Sequence, residues 1–360
     1  MKFRRAQSIY ITIQNEEICI QNFLKNKIIS VTLQEFSLIL AMEHWVDVEH
    51  LAKVLNGKIT EEDIINIIYK LIVCGVILTE ETQEEDVHYQ ENWDWGLKAG
   101  AYHFALKNTQ FLTPNSEGMR EFADQIAQKT VEDPSPVLFS LNKNKYDKVY
   151  AYTVPDFDKG IFKTIKRRRT IRHFDVERPV SQVDLTTCLY AGLGILKFKS
   201  IRPMGEMPFK MTPSGGGRNP FDAYVQCRNI SGLPNGLYHY SAVEHSLGLV
   251  NDQNSPTPAA ILAEQLWIDE AALVVFLVAN FDRTMWKYAH PVGYKAIMIE
   301  AGHIAQNIIL AANELGFYGS PTAAVTSSRF EEMMQEKNMN KSCVYAIALG
   351  YALENAEELV

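Results

Sequence analysis

Residues 271–279, Ala-Ala-Leu-Val-Val-Phe-Leu-Val-Ala, are the longest apolar run of the chain and restrict its fold more than any other feature. The run is too short to cross a membrane as a helix, which takes about 20 apolar residues. Its Val and Leu content predicts a buried strand, centred on 273–278, which only a substantial core can enclose. The length of 360 residues allows two such cores. A hydrophobic share of 47% and a charged share of 22% are ordinary for a soluble globular protein.

The amino-terminal stretch has a basic start but no apolar core of a secretory signal. Cys19, Cys74, Cys188, Cys227 and Cys343 are odd in number, widely spaced and lack a Cys-x-x-Cys pair. Neither a disulfide framework nor a zinc site follows from that spacing, and reduced thiols in a cytoplasmic protein are the simplest reading. A net charge of -8 argues against general nucleic-acid binding.

Residues 8–29 contain short β-type runs, Ile9 to Ile13 and Ile18 to Ile20. Thr32 and Glu35 have capping-box spacing ahead of an apolar helical face at Phe36, Leu38, Ile39 and Leu40. A second short helix is expected at 48–55, ending near Gly57. A third starts at Thr60 and Asp63, Gly75 stops it, and 76–79 reads as a strand. This order predicts a small winged helix-turn-helix module over residues 1–82. DNA binding fits it poorly, because residues 1–80 hold eight Lys/Arg against ten Asp/Glu and the third helix opens Glu61-Glu62-Asp63. Capture of a peptide as an added strand needs only an open sheet edge. Packing or dimerisation without a ligand is the other reading.

Acidic residues 80–86 mark a boundary, and 83–158 is expected to be a linker and helical region. Trp93, Trp95, Tyr102, His103 and Phe104 in it would anchor the segment on the next domain, with His103 structural rather than catalytic. Asp133-Pro134-Ser135-Pro136 and Val154-Pro155-Asp156 punctuate its end.

In this acidic chain, Lys166, Arg167, Arg168, Arg169 and Arg172 fall within seven positions, around Thr170. Arginine forks suit phosphate, although a solvated surface would also explain such a run. Alternation of Thr170, Arg172 and Phe174 would set polar groups on one side of an extended stretch. A helix comes next, capped by Ser181 and Asp184 and ended by Gly192 and Gly194. The loop Pro213-Ser214-Gly215-Gly216-Gly217-Arg218 then offers main-chain N–H groups at close approach, with donors on Ser214 and Arg218. It lacks the Gly-Lys-Ser/Thr of a P-loop. Two anion-suited segments in one region point to a ligand site. A strand at 223–227, a hairpin signal at Asn235-Gly236, a loop at 283–288, a helix at 293–315 and a strand at 344–349 complete the pattern.

The segments Arg-Arg-Arg-Thr-Ile-Arg-His-Phe, Pro-Ser-Gly-Gly-Gly-Arg, Gly-Leu-Tyr-His-Tyr, Trp-Lys-Tyr and Gly-His-Ile-Ala-Gln-Asn-Ile-Ile-Leu-Ala-Ala occur in that order. Together they resemble the FMN-dependent nitroreductase superfamily, and within it the SagB-type dehydrogenases of thiazole/oxazole-modified peptide pathways. The resemblance implies an α+β fold, with a nitroreductase-like α-β-α sandwich at 159–360 behind the winged-helix module. It also implies FMN and a homodimer with each flavin at the subunit interface.

By that resemblance, Arg168, Arg169, Thr170 and Arg172 would contact the FMN phosphate and ribityl chain, leaving Lys166 and Arg167 to solvent. Ser214, Gly215, Gly216 and Arg218 would line the flavin ring or the phosphate. Ala323, Ala324 and Val325 lie in the stretch that would set a backbone N–H against flavin N5. Lys287 and Tyr288 resemble the Lys-Tyr pair of azoline-oxidising enzymes. A lysine neutralised by burial, or the tyrosine beside it, would take the proton; alternatively Lys287 only neutralises flavin or stacks on Trp286.

The implied function is dehydrogenation of azoline rings to azoles in a ribosomally made peptide, guided by its leader and supported by partner enzymes such as a cyclodehydratase. Oxidation or hydroxylation of another peptide side chain, or NAD(P)H-dependent reduction of nitro compounds or quinones, keeps the flavin and changes the substrate. A flavin-free peptide-binding scaffold is the non-enzymatic alternative.

Overall fold

The computed structural model describes residues 1–54, 59–109, 111–113, 116–132, 158–202, 205–252 and 256–354. Gly57 and the proline-containing stretches at 133–136 and 154–156 lie outside the described residues.

The first region contains β1 (Arg4–Arg5), β2 (Ile9–Gln14), β3 (Glu17–Asn22), β4 (Lys27–Val31), α1 (Leu33–Ala41), α2 (Val48–Val54), α3 (Glu61–Val73) and β5 (Ile77–Leu78). Local chemistry explains the helix starts. Thr32 Oγ1 accepts from Glu35 N at 3.2 Å while the Glu35 carboxylate accepts from Thr32 N at 2.7 Å. Thr60 Oγ1 likewise accepts from Asp63 N at 3.1 Å. Strands β2, β3 and β4 form an antiparallel meander, and β1 pairs with β5 instead. Ile20, Leu38, Ile39, Leu51, Ile64, Ile68 and Leu71 make a separate small core there.

Next come α4 (Glu84–Asn92), α5 (Gly96–Leu106) and α6 (Glu117–Glu132). Asp86, within the acidic stretch expected to be a boundary, is buried. Its carboxylate accepts from Gln7 N at 3.0 Å, Ser8 N at 2.9 Å and Ser8 Oγ at 2.7 Å. Such charge-assisted bonds tie α4 back onto the amino-terminal strands.

The remaining described chain contains α7 (Gly160–Arg167), β6 (Val180–Ser181), α8 (Gln182–Leu193), β7 (Ile195–Ile201), β8 (Gly205–Lys210), β9 (Phe221–Cys227) and β10 (Ile230–Ser231). It continues with β11 (Gly236–Ser241), β12 (Ser246–Asn251), α9 (Pro258–Ile261), β13 (Leu273–Asn280) and α10 (Asp282–Met285). The last elements are α11 (Val292–Glu314), β14 (Tyr318–Thr322), α12 (Ser327–Met334) and β15 (Lys341–Gly350).

A six-stranded antiparallel sheet of order β12-β11-β9-β13-β15-β14 organises this region. The long apolar run supplies β13, flanked by β9 and β15. Leu273, Val275 and Leu277 meet Leu185 and Leu189 of α8 and Ile304 and Ile308 of α11 on one face. Val274, Phe276 and Val278 meet Ile261, Ile268, Phe330 and Met333 on the other. The two faces of one strand therefore join two helical layers into an α-β-α arrangement. Burial of each such side chain contributes about 1.5–3 kcal/mol.

Three details depart from sequence expectation. Asn235-Gly236 does not form a two-residue hairpin: residues 228–235 connect β9 to β11 and include β10, which pairs in parallel with β6. The expected loop at 283–288 begins inside the short helix α10. The β7–β8 hairpin is a further departure: its alternating Leu196-Lys197-Phe198-Lys199 leaves both faces mostly exposed, so its pairing comes from the hairpin and not from burial.

Candidate functional site

Ser214 to Arg218 follow the β7–β8 hairpin and make a single 3-10 turn. Gly216 there has a φ of 63°, in the left-handed region that favours glycine. A Cβ at Gly216 would stand 2.3 Å from the Tyr288 hydroxyl oxygen, so the tyrosine ring and the glycine backbone are in close contact. Lys287 Nζ donates to Gly216 O at 3.2 Å. The glycine loop and the Lys-Tyr pair thus come together although they are 71 residues apart. Arg218 lies over Trp286 at 4.6 Å from the ring centroid and donates through Nε to Arg283 O. Trp286 is therefore occupied by Arg218, and Lys287 instead lies 5.4 Å from the Tyr288 ring centroid. Lys287 is exposed, so the chain alone does not bury it.

A carboxylate that sequence reasoning missed holds the loop. Glu300 is buried, and its Oε2 accepts from Ser214 Oγ at 2.8 Å and Gly215 N at 3.2 Å, while Oε1 is buried with no partner among the described residues. Burial pushes its carboxyl above the usual range, against the opposing Ser214 bond and the charge of Lys210. Lys210 at the end of β8 is pulled below the usual lysine range by burial, which Glu300 counteracts. A signal existed: Glu300 shares the core-facing stripe of α11 with Ile297, Ile304 and Ile308, where an acid is out of place. Arg283, in the same neighbourhood, grips Asp222 through two bonds of 2.9 and 2.8 Å. Trp95 Nε1 donates to Tyr288 O at 2.7 Å, so the expected anchoring role of the tryptophan patch is realised at the Lys-Tyr pair.

The arginine segment lies elsewhere. Ile171 and Phe174 are buried, while Arg169 and Arg172 are exposed and Arg168 and Thr170 half-buried. Phe174 thus faces inward, contrary to the simple alternation, because it bridges Ala352 after β15. Ser320 of β14 donates its hydroxyl to Ile171 O, and Arg172 sits 5.8 Å from the Trp267 ring centroid. Arg168 Nη1 donates to Thr170 Oγ1 at 3.4 Å, and Arg169 Nη1 only to main-chain carbonyls. Among the described residues no carboxylate pairs with Arg168, Arg169 or Arg172. Beyond β14, Thr322 Oγ1 accepts from Ala324 N at 3.2 Å and shapes the 323–325 turn, where Val325 is buried and Ala323 exposed.

Two groups result: the loop with Lys287 and Tyr288, and the arginines beside Ser320 of β14, while residues 323–325 line a cleft with Tyr294 and Met298 at the start of α11. Helix α11 separates their anchors. Glu300 holds the loop, whereas Glu314 accepts from Thr164 Oγ1 just ahead of the arginines. Fourteen residues at 1.5 Å rise put those carboxylates about 21 Å apart along the axis.

The nitroreductase family model matches residues 165–351, just over half of the chain, and spans both groups. The chain belongs to the nitroreductase family. Among nitroreductase relatives, a candidate nitroreductase of Methanocaldococcus jannaschii, MJ1384, is 29% identical over 172 residues, 48% of this chain and 82% of that protein. The trifolitoxin-processing protein TfxB of Rhizobium leguminosarum bv. trifolii is 30% identical over 135 residues, 36% of each chain. The microcin B17-processing protein McbC of Escherichia coli is 28% identical over 131 residues, 34% of this chain and 47% of that one. The matched part therefore spans less than half the length of either processing protein. A chain in the structure of the E. coli microcin synthetase McbBCD complex with truncated pro-MccB17 bound shares the fold, with a TM-score of 0.51 at 18% identity. That likeness covers 75% of this chain and 97% of that one. Among the described residues no helix is long and apolar enough to cross a membrane.

Proposed function

We propose that this nitroreductase-family chain is an FMN-dependent oxidoreductase acting on a ribosomally made peptide, most simply converting azoline rings to azoles as SagB-type dehydrogenases do. The observation that carries this reading is the contact between Lys287 and Gly216 O, which places an exposed basic side chain and a phenol against a glycine loop built for close approach.

The residues fit an FMN-sized anionic ligand. Three arginines without acidic partners among the described residues would hold the phosphate, with Thr170 as a further donor. Ser214, Gly215, Gly216 and Arg218 would border the ring from the loop, and the 323–325 backbone from beside the start of α11. When bound, FMN supplies the two-electron acceptor that the protein lacks, and dioxygen restores it. The chain's own part is to orient the peptide and accept a proton at Lys287 Nζ or Tyr288 Oη from the carbon next to the one that loses hydride. Separation of the two groups along α11 supports a homodimer in which each subunit completes the other's site.

The amino-terminal meander supports leader capture, since β2 and β4 each border only β3 and keep one free edge among the described strands. We read residues 1–82 as this recognition module and 159–360 as the flavin domain, joined by the tryptophan-bearing region. The unpaired cysteines suit a reducing compartment such as the cytoplasm.

Mass spectrometry of a candidate precursor peptide, before and after incubation with the FMN-loaded chain and its cyclodehydratase, tests the proposal. Loss of two hydrogens per ring is the expected result. A gain of oxygen would replace it with hydroxylation, and an unchanged mass with flavin bound would refute peptide oxidation.

A further inference from the structure

Helix α5 packs against the start of α11, and a cleft of about 170 Å³ opens between them beside residues 323–327. Tyr102, His103, Tyr294, Met298, Ala323 and Val325 form much of its wall. An apolar cavity of roughly 150 Å³ holds one benzene ring, so this cleft, open at its mouth, has room for a single ring. Tyr102 is 61% exposed at the mouth and meets Tyr294 edge to face at 5.9 Å, an arrangement that a further ring can extend.

His103 sets the polarity of the wall. It is buried, stacked on Trp93 at 5.5 Å, and meets Phe104 and Phe281 edge-on at 4.8 Å. Nδ1 lies 3.1 Å from the Tyr294 hydroxyl, while Nε2 is buried without a partner among the described residues. Burial, aided by the charge of Lys107, pulls the imidazole down to about 3, so it is neutral at ordinary pH. Burial also pushes the Tyr294 phenol up, so it keeps its proton. Rings surround the imidazole, and an N–H among them makes a weakly favourable contact, which favours a proton on Nε2. Nε2 therefore carries the proton and Nδ1 accepts the Tyr294 O–H. The Tyr294 oxygen is left as an acceptor.

We propose that this cleft receives one aromatic or five-membered heteroaromatic ring of the peptide substrate, with the Tyr294 oxygen accepting an amide N–H beside that ring and His103 acting as the positioning residue. The inference rests on the peptide-oxidation reading for its ligand, and Ala323 and Val325 place the bound ring next to the segment expected to face the flavin. The size and polarity of the cleft do not depend on flavin.

The test titrates N-acetyl-phenylalanine methylamide into the full chain, with and without FMN, and follows saturation by ligand-observed NMR. The comparison probes are the alanine analogue and a phenylalanine analogue methylated on both amide nitrogens. Saturable binding of the phenylalanine amide is expected, about fivefold tighter than its N-methylated analogue, as one hydrogen bond of about 1 kcal/mol would give. The alanine amide should not saturate. Tyr294→Phe should erase the fivefold preference at unchanged flavin content, and His103→Phe should reduce it, which a purely structural role would not do. Met298→Trp, which fills the cleft from its rim, should abolish binding and provides a second route should the aromatic variants unfold. Absence of saturable binding, a preference that survives Tyr294→Phe, or displacement of the probe by FMN would overturn the proposal. Ring binding by a chain that takes up no FMN would instead refute the flavin reading and leave this one standing.

Discussion

The glycine loop and the arginine segment are both suited to anions, yet the fold treats them in opposite ways. The loop lies at the surface but is tied down from below: a buried carboxylate holds Ser214 and Gly215, Tyr288 lies against Gly216, and Trp95 holds the Tyr288 carbonyl. The arginines are attached to the sheet by Ile171 and Phe174, and their guanidinium groups find main-chain carbonyls and one ring rather than acids. One half is held in place by the fold itself; the other carries charge that the fold leaves unneutralised by acids among the described residues. Preorganised groups shape a reaction, whereas free charges mainly supply affinity.

Substitutions at the two halves should therefore fail differently. The largest effect is expected for Lys287→Ala, which should keep bound flavin, read from its visible absorbance, while turnover falls about 10²- to 10⁴-fold as for loss of a general base. Normal turnover in that variant would remove Lys287 from the chemistry and leave the loop a binding element only. Arg172→Ala should do the reverse. Loss of one charge-assisted phosphate contact is worth about 1.5–3 kcal/mol, so calorimetric FMN affinity should fall roughly ten- to hundredfold with little change in the melting temperature of the flavin-free chain. A large drop in that melting temperature would show that the segment is structural after all.

Gly216→Ala should act on the prebuilt half through strain. The left-handed backbone costs a Cβ about 1–2 kcal/mol, and Tyr288 must move away; thermal melts should register both, with weaker flavin binding as the consequence. The smallest effect concerns pH. Because the Glu300 carboxyl is raised on folding by burial, its ionisation costs stability that is fully retained only below the ordinary value of 4.5 and is lost as pH rises through the raised one. Glu300→Gln should remove that loss. The melting temperature of the variant relative to the parent should therefore climb across this range. A flat difference would mean that Glu300 ionises as easily in the folded as in the unfolded chain.

Much of the fold was readable because local pattern carries it. The capping box at Thr32 and Glu35, the Ser181 cap of α8 and the unbroken apolar run of β13 depend on neighbours within a few residues. The β7–β8 hairpin and the long β9–β11 connection were not readable, since pairing across distance rather than local period decides them. For the site, motif order identified the arginines, the glycine loop, the Lys-Tyr pair and residues 323–325 as residues of interest. Glu300 could have been found as an acid on an apolar helical stripe; the link from Trp95 to Tyr288, 193 positions apart, could not.

By itself, then, the sequence determined which segments can be helix or strand and which residues can meet an anion, because caps, periodicity and side-chain chemistry act within a turn or two. Tertiary structure alone decided that the glycine loop meets Lys287 and Tyr288, that Lys287 stays exposed, and that His103 is buried against Tyr294. Those outcomes depend on how α11, α5 and the sheet pack, and packing is set by the burial of distant apolar faces against one another.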